Sequence, residues 1–262
     1  MIIEPKYRWW YWNHPNTSWF GSFARHFLSP DISIWAEDTE GEPQYFALAS
    51  HHLSDASSPE ELADRSAALK ALFDGAMYLA YGTSYFSPPF SNLTDDDDTL
   101  STYLSGYHRN PDVRADPYSF AYCEAKVDDR LDPLDDTVAL LLFLASYDPI
   151  AKYLLKYVDV QGLTYVTLYA FTDWMNGAGW DDKRIAQAAG WSNARFKDFS
   201  ATANNPAYLG PFCRHGGTSA SPNRPVALEE AIDPMRKASV SFLSDRARTL
   251  GLAGHWQSLA RP

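Results

Sequence analysis

Seven successive residues, Val138-Ala139-Leu140-Leu141-Leu142-Phe143-Leu144, carry no polar side chain. A helix that is apolar on every side has no face to turn to water, so this segment must lie deep inside the fold. Asp132-Pro133 upstream reads as a cap followed by a proline at the first helical position, which predicts a helix over 134–147. Asp148-Pro149 repeats the signal and predicts a second helix over 150–158.

Further helices follow the same logic. Ser58-Pro59-Glu60-Glu61 combines a cap, a first-turn proline and the S-x-x-E box, and Leu62, Leu69, Leu72, Phe73, Ala76 and Met77 continue at helical spacing, which predicts a helix over 59–80. An aromatic-rich helix is expected over 163–175, stopped by Asn176-Gly177, with shorter ones over 182–189 and 193–203. A Pro/Gly/Ser-rich loop then spans 205–225, and Asp233-Pro234 starts a last long helix to about 250.

The first half is different. Ile32–Trp35 and Tyr45–Leu48 are rich in β-branched and aromatic residues and flank a polar loop, the pattern of a hairpin. Tyr118–Val127 is expected to return as a strand beside it. The aromatic opening, with a turn at 13–16, reads as a tail pinned by its rings or as a surface for a protein partner or a second copy. Residues 82–117 read as a long irregular excursion, and Asp95–Asp98 within it as a solvated acidic run, because the spacing of a calcium loop is missing.

These elements predict a mostly helical α+β protein: a small antiparallel sheet with a covering helix, packed on a larger helical half. The aromatic-rich α+β part is assigned to residues 1–130 and the helical part to 131–262, together one compact unit. The chain's 262 residues are 45% hydrophobic, 21% charged and 15% aromatic, enough to bury a sizeable core. No apolar run reaches the ~18 residues that span a bilayer. The two cysteines and the lack of a secretory signal pattern point to a cytoplasmic setting.

The net charge of −11 is unevenly spread: residues 183–262 hold eleven Lys/Arg against five Asp/Glu, whereas the rest of the chain is strongly acidic. Two readings follow. The basic end meets an anionic partner, nucleic acid or acidic protein, or the two halves attract each other. Within that end, 181–205 has the form of two short helices joined at Gly190, a helix-turn-helix in which Asn193, Arg195 and Lys197 face a groove.

Motifs of nucleophilic hydrolases, phosphate loops, dinucleotide-binding folds and H-E-x-x-H metalloproteases are missing. His51-His52, placed at a strand end, would point to opposite faces and not share a metal. No metal and no cofactor is expected.

The densest cluster of polar chemistry lies near the C-terminus. Leu168-Tyr169 on a helix, Arg195-Phe196, Ala203-Asn204-Asn205-Pro206 with Gly210, and Arg214-His215-Gly216 together resemble a pattern in bacterial proteins of unknown function, over roughly residues 134–250. That pattern usually has Asn-Ser-Pro where this chain has Asn204-Asn205-Pro206. The likeness carries no activity; Arg195 and Lys197, from the helix-turn-helix reading, and Asn204 and Asn205, from this cluster, are the candidate ligand-binding residues. The segment also resembles HEPN-type helical domains, many of them metal-independent ribonucleases. That resemblance implies His215 as acid/base and Arg214 on a phosphate; the residues themselves read rather as struts that hydrogen-bond the loop to the helices. Such domains space the pair four to six residues apart on a helix, whereas Arg214 and His215 are adjacent and loop-borne; Arg8 and His14 have the spacing but lie in the aromatic opening.

Three functions remain in view: a binding or assembly module whose basic end meets an anionic partner, a ribonuclease using Arg214 and His215, and a structural self-assembling protein.

Overall fold

Strand-forming residues on either side of the polar 38–44 segment pair as the sequence predicts, a third strand joins them from upstream and a short fourth from downstream. The computed structural model describes residues 7, 10–13, 23, 27, 29–37, 45–82, 93–94, 112–123, 136–210, 213 and 221–252. Among them β1 (Trp10–Asn13), β2 (Ser33–Glu37), β3 (Tyr45–Ala49) and β4 (Leu93–Thr94) form one antiparallel sheet in the order β2-β3-β1-β4. Leu48 of β3 sits opposite Ile34 on one side and Tyr11 on the other.

The aromatic opening is thus not only a pinned tail. Trp10–Asn13 is an inner strand whose backbone is paired with β3 and β4. It takes the place beside the hairpin that was expected for Tyr118–Val127. That expectation fails over the described residues, because 120–123 form a helical turn. Ser119 starts the turn, its Oγ accepting from Tyr122 N–H at 3.2 Å and its carbonyl from Cys123 N–H at 3.0 Å. Tyr118, Phe120 and Tyr122 alternate like a strand, yet the Ser119 cap satisfies the backbone locally and outweighs β-propensity.

α1 (Pro59–Tyr81) packs on the helical half, and its Leu69, Leu72 and Phe73 share one core with Ile34, Phe46 and Leu48 of the sheet. Ser58 Oγ accepts from Glu61 N–H at 3.1 Å. The Glu61 carboxylate reaches back to Ser57 N–H at 2.8 Å, one residue earlier than a strict capping box would have it. The helix ends at Gly82, whose φ of +81° is the left-handed cap that glycine adopts without strain.

α2 (Thr137–Tyr147) carries the apolar run, and Val138 through Ala145 are all buried. Its cap is Asp136, not Asp132: one Asp136 oxygen accepts from Val138 N–H at 2.7 Å and Ala139 N–H at 3.1 Å. The helix therefore starts three residues later than expected, because Asp136 can satisfy two first-turn donors at the edge of the apolar run. α3 (Pro149–Gln161) starts at the expected Asp148-Pro149 and runs three residues further. α3 meets α1 backbone to backbone: a Cβ on Gly75 would stand 2.0 Å from the Leu155 carbonyl oxygen.

α4 (Tyr165–Gly177), α5 (Asp182–Ala188) and α6 (Asn193–Ala203) follow close to their expected bounds. A short α7 (Pro206–Leu209), capped by Asn205, lies in the stretch expected to be loop. α8 runs Leu228–Thr249, so Asp233-Pro234 does not start it. The turn preceding Pro234 is held by tertiary contacts, with Ala231 fully buried and Glu230 ion-paired to Arg195. Those contacts outweigh the one ladder bond that proline removes. One continuous core runs from Ile34 and Phe46 through α1 and α2 to Phe242. No helix among the described residues is long and apolar enough to cross a membrane.

Candidate anion-binding groove

α8 turns two stripes in opposite directions. Ala231, Met235, Ala238 and Phe242 recur at helical spacing and are buried. On the outer side Lys237, Ser241 and Arg248 fall at i, i+4 and i+11 and are exposed. Two depressions of about 300 Å³ each lie on the shoulders of that outer stripe, and Ser241 and Arg248 line both.

The first depression is bounded by Ala80 at the end of α1 and Thr137 at the start of α2, with Arg236 and Lys237 from α8. Arg236 is committed to structure. Its Nη1 donates to the Leu79 and Ala80 carbonyls at 2.8 and 2.6 Å, capping the C-terminus of α1, and its Nη2 donates to Asp233 at 3.2 Å. Lys237 is exposed and has no carboxylate partner among the described residues.

The second depression lies between α8 and α5, lined by Trp180, Arg184, Gln187, Asp245 and Arg248. Asp245 organises it, accepting from Trp180 Nε1 at 3.2 Å and Arg184 Nη2 at 2.9 Å, while Arg248 Nη1 approaches to 3.6 Å. Arg184 also lies over the Trp180 ring, 4.1 Å from its centroid. Arg248 keeps 59% of its side chain exposed, so one weak ion pair leaves most of its donors turned outward.

The residues singled out from sequence lie elsewhere. Arg195 is only 15% exposed and turned into the protein: it donates to Glu230 at 3.0 Å and to the Arg224 carbonyl at 2.8 Å. Lys197 on the same helix is exposed, and α5 and α6 pack on each other. Asn204 Nδ2 donates to the Ser200 carbonyl at 2.8 Å, and its Oδ1 is buried with no hydrogen-bond partner among the described residues. Asn205, 6% exposed, caps α7 through Ala207 N–H at 2.8 Å. Arg214 and His215 lie outside the described residues, as do Arg8 and His14.

His51 and His52 begin a 3₁₀ turn and do not end a strand. His52 is fully buried. Its Nε2 lies 2.9 Å from Asp31 Oδ1 and its Nδ1 accepts from Ser119 N–H at 3.1 Å, so both ring nitrogens are engaged and the imidazole joins β3 to the 119–123 turn. His51 packs instead between the Tyr7 and Tyr122 rings. Among the described residues no cluster of three His, Cys, Asp or Glu side chains could hold a metal.

The charge split is resolved mostly within the basic end itself. Arg184, Arg195, Arg236 and Arg248 pair with Asp245, Glu230, Asp233 and Asp245 of the same segment, whereas Arg246 alone among the described residues reaches a carboxylate outside it, Asp148. Lys183, Lys197, Arg224 and Lys237 have no carboxylate partner among the described residues. Sequence reading found the charge but not the groove; the Lys237-Ser241-Arg248 spacing was the available signal. No family model, no curated protein and no solved structure matches this chain, so the groove is read from its own geometry.

Proposed function

We propose that this protein is a binding module that takes an anionic partner on the outer face of α8. The carrying observation is Arg248, mostly exposed and shared by two adjoining depressions, with Lys237 at one end and Arg184 at the other. Guanidinium and ammonium groups around concave surface supply the directed donors and positive potential that carboxylates and phosphates need. Lys237 has no carboxylate partner among the described residues and Arg248 has one at 3.6 Å, which leaves positive charge on this face for another molecule.

The test is binding of the full-length chain to a polyglutamate peptide and to an oligonucleotide across salt. Engagement of about three cations predicts affinity for the nucleic acid falling by about three powers of ten per tenfold rise in salt, and a shallower fall for the peptide. Lys237→Glu with Arg248→Glu should remove binding to both. No binding of either probe at low salt would rule the reading out.

A further inference from the structure

The groove has a shape as well as a charge. The two depressions lie on opposite shoulders of α8 and meet across Ser241, a small exposed side chain that forms a saddle. Lys237 and Arg248 stand on either side of that saddle, separated along the axis by about 17 Å at the helical rise. A helix about 10–12 Å across fits that gap, and a small residue at the crossing is what lets two helices approach closely.

The sign pattern selects among anions. Asp245 lies in the second depression between Arg184 and Arg248, so the wall reads positive, negative, positive. A nucleic-acid duplex carries a charge about every 1.7 Å along its axis and would set phosphates against Asp245 as well as against the cations. Stacking of single-strand bases requires an open ring, and Trp180, the one aromatic ring lining the groove among the described residues, is 4% exposed and covered by Arg184. The chain's net charge of −11 also opposes a dense polyanion. A partner with separate carboxylates and an apolar stripe between them meets none of these penalties, since Ala80, Val240 and Ala188 add apolar surface on either side of Ser241.

We infer that the Ser241 saddle and its two depressions seat an acidic amphipathic helix of a partner protein, crossing α8 with carboxylates on Lys237 and Arg248. This rests on the anion-binding reading above and narrows it to one kind of partner. The geometry is that of a helix laid in a groove, where the apolar stripe gives affinity and the flanking charges set position.

The experiment uses the full-length chain and a labelled Glu/Ala/Leu peptide of about 18 residues, long enough as a helix to cover both depressions. Its controls are the same peptide with Gln for Glu, an oligothymidylate and a DNA duplex of matched length. The Glu peptide should bind, gain helical circular dichroism on binding, and weaken about tenfold or more with its Gln replacement. Ser241→Trp fills the saddle at an exposed position and should abolish peptide binding with the melting temperature unchanged. Peptide binding that survives Ser241→Trp overturns the proposal, as do nucleic acids that bind tighter than the peptide at equal salt. If nucleic acid binds and Lys237→Glu with Arg248→Glu removes it while the peptide fails, the helix falls and the anion-binding reading stands. If no probe binds, both fall.

Discussion

Arg246 near the end of α8 grips Asp148, the residue that caps α3, with both edges of its guanidinium: Nη2 donates to Oδ1 at 2.8 Å and Nε to Oδ2. The same Oδ1 accepts from Ile150 N–H at 3.0 Å, and Asp148 is 1% exposed. Asp148 therefore closes α2 with its backbone N–H on the Leu144 carbonyl, while its carboxylate starts α3 and anchors α8. Asp148→Asn keeps a capping oxygen but loses the charge, and should cost about 1.5–3 kcal/mol. Asp148→Ala should cost a further ~0.5–2 kcal/mol for the cap. Urea midpoints that do not separate the two variants would show that the cap contributes nothing.

The cap of α1 stands alone from such a network. Ser58→Ala should lower stability by about 0.5–2 kcal/mol, because Glu61 N–H loses its acceptor. Glu61 would keep its bonds to Ser57, so the loss stays near the lower end. A denaturation midpoint equal to wild type counts against a formed cap.

Gly75 admits no side chain. Gly75→Ala places a methyl against the Leu155 carbonyl and must push α3 away from α1, with a cost of about 3 kcal/mol or more. Alanine is otherwise the better helix former, so the local change alone would stabilise by roughly 0.5–1 kcal/mol. Thermal melting gives the sign: a higher midpoint would mean that the two helices are not in backbone contact.

Acid–base titration should register at the same helix pair. Burial pushes the Asp74 carboxyl up to about 7, against the pull of Lys70, with Asp159 on α3 adding to the rise. The folded protein then holds a proton on Asp74 that the unfolded chain releases near 3.8. Stability supplied by that proton is complete at the acid end and is lost as pH rises towards 7, by up to about 1.4 kcal/mol per pH unit. Asp74→Asn fixes the neutral form and should flatten this slope and raise stability at pH 8. Parallel pH–stability curves for wild type and Asp74→Asn would contradict the assignment.

Where one interaction decided a boundary, the sequence was a sufficient guide. Ser58 and Asp148 each have a proline behind them and an apolar run beyond, and both start helices as read. At Asp132-Pro133 and Asp233-Pro234 the same dipeptide misled, for different reasons. Asp136 lies closer to the apolar run and captures two donors, while the turn before Pro234 is paid for by Ala231 burial and the distant Arg195. The groove was hidden because charge alone does not say which arginines are spent. Arg195 and Arg248 look alike in sequence, yet one is locked to Glu230 and the Arg224 carbonyl and the other is left outward.

The seat of Leu155 on Gly75 has a mechanical consequence. With backbone against backbone there is no rotamer between α1 and α3 to yield, and sliding α3 by a single residue, about 1.5 Å, would carry the carbonyl off its notch and a side chain onto it. The two helices work as a fixed anvil. Arg236 on the α1 carbonyls and Arg246 on Asp148 tie α8 to that fixed pair.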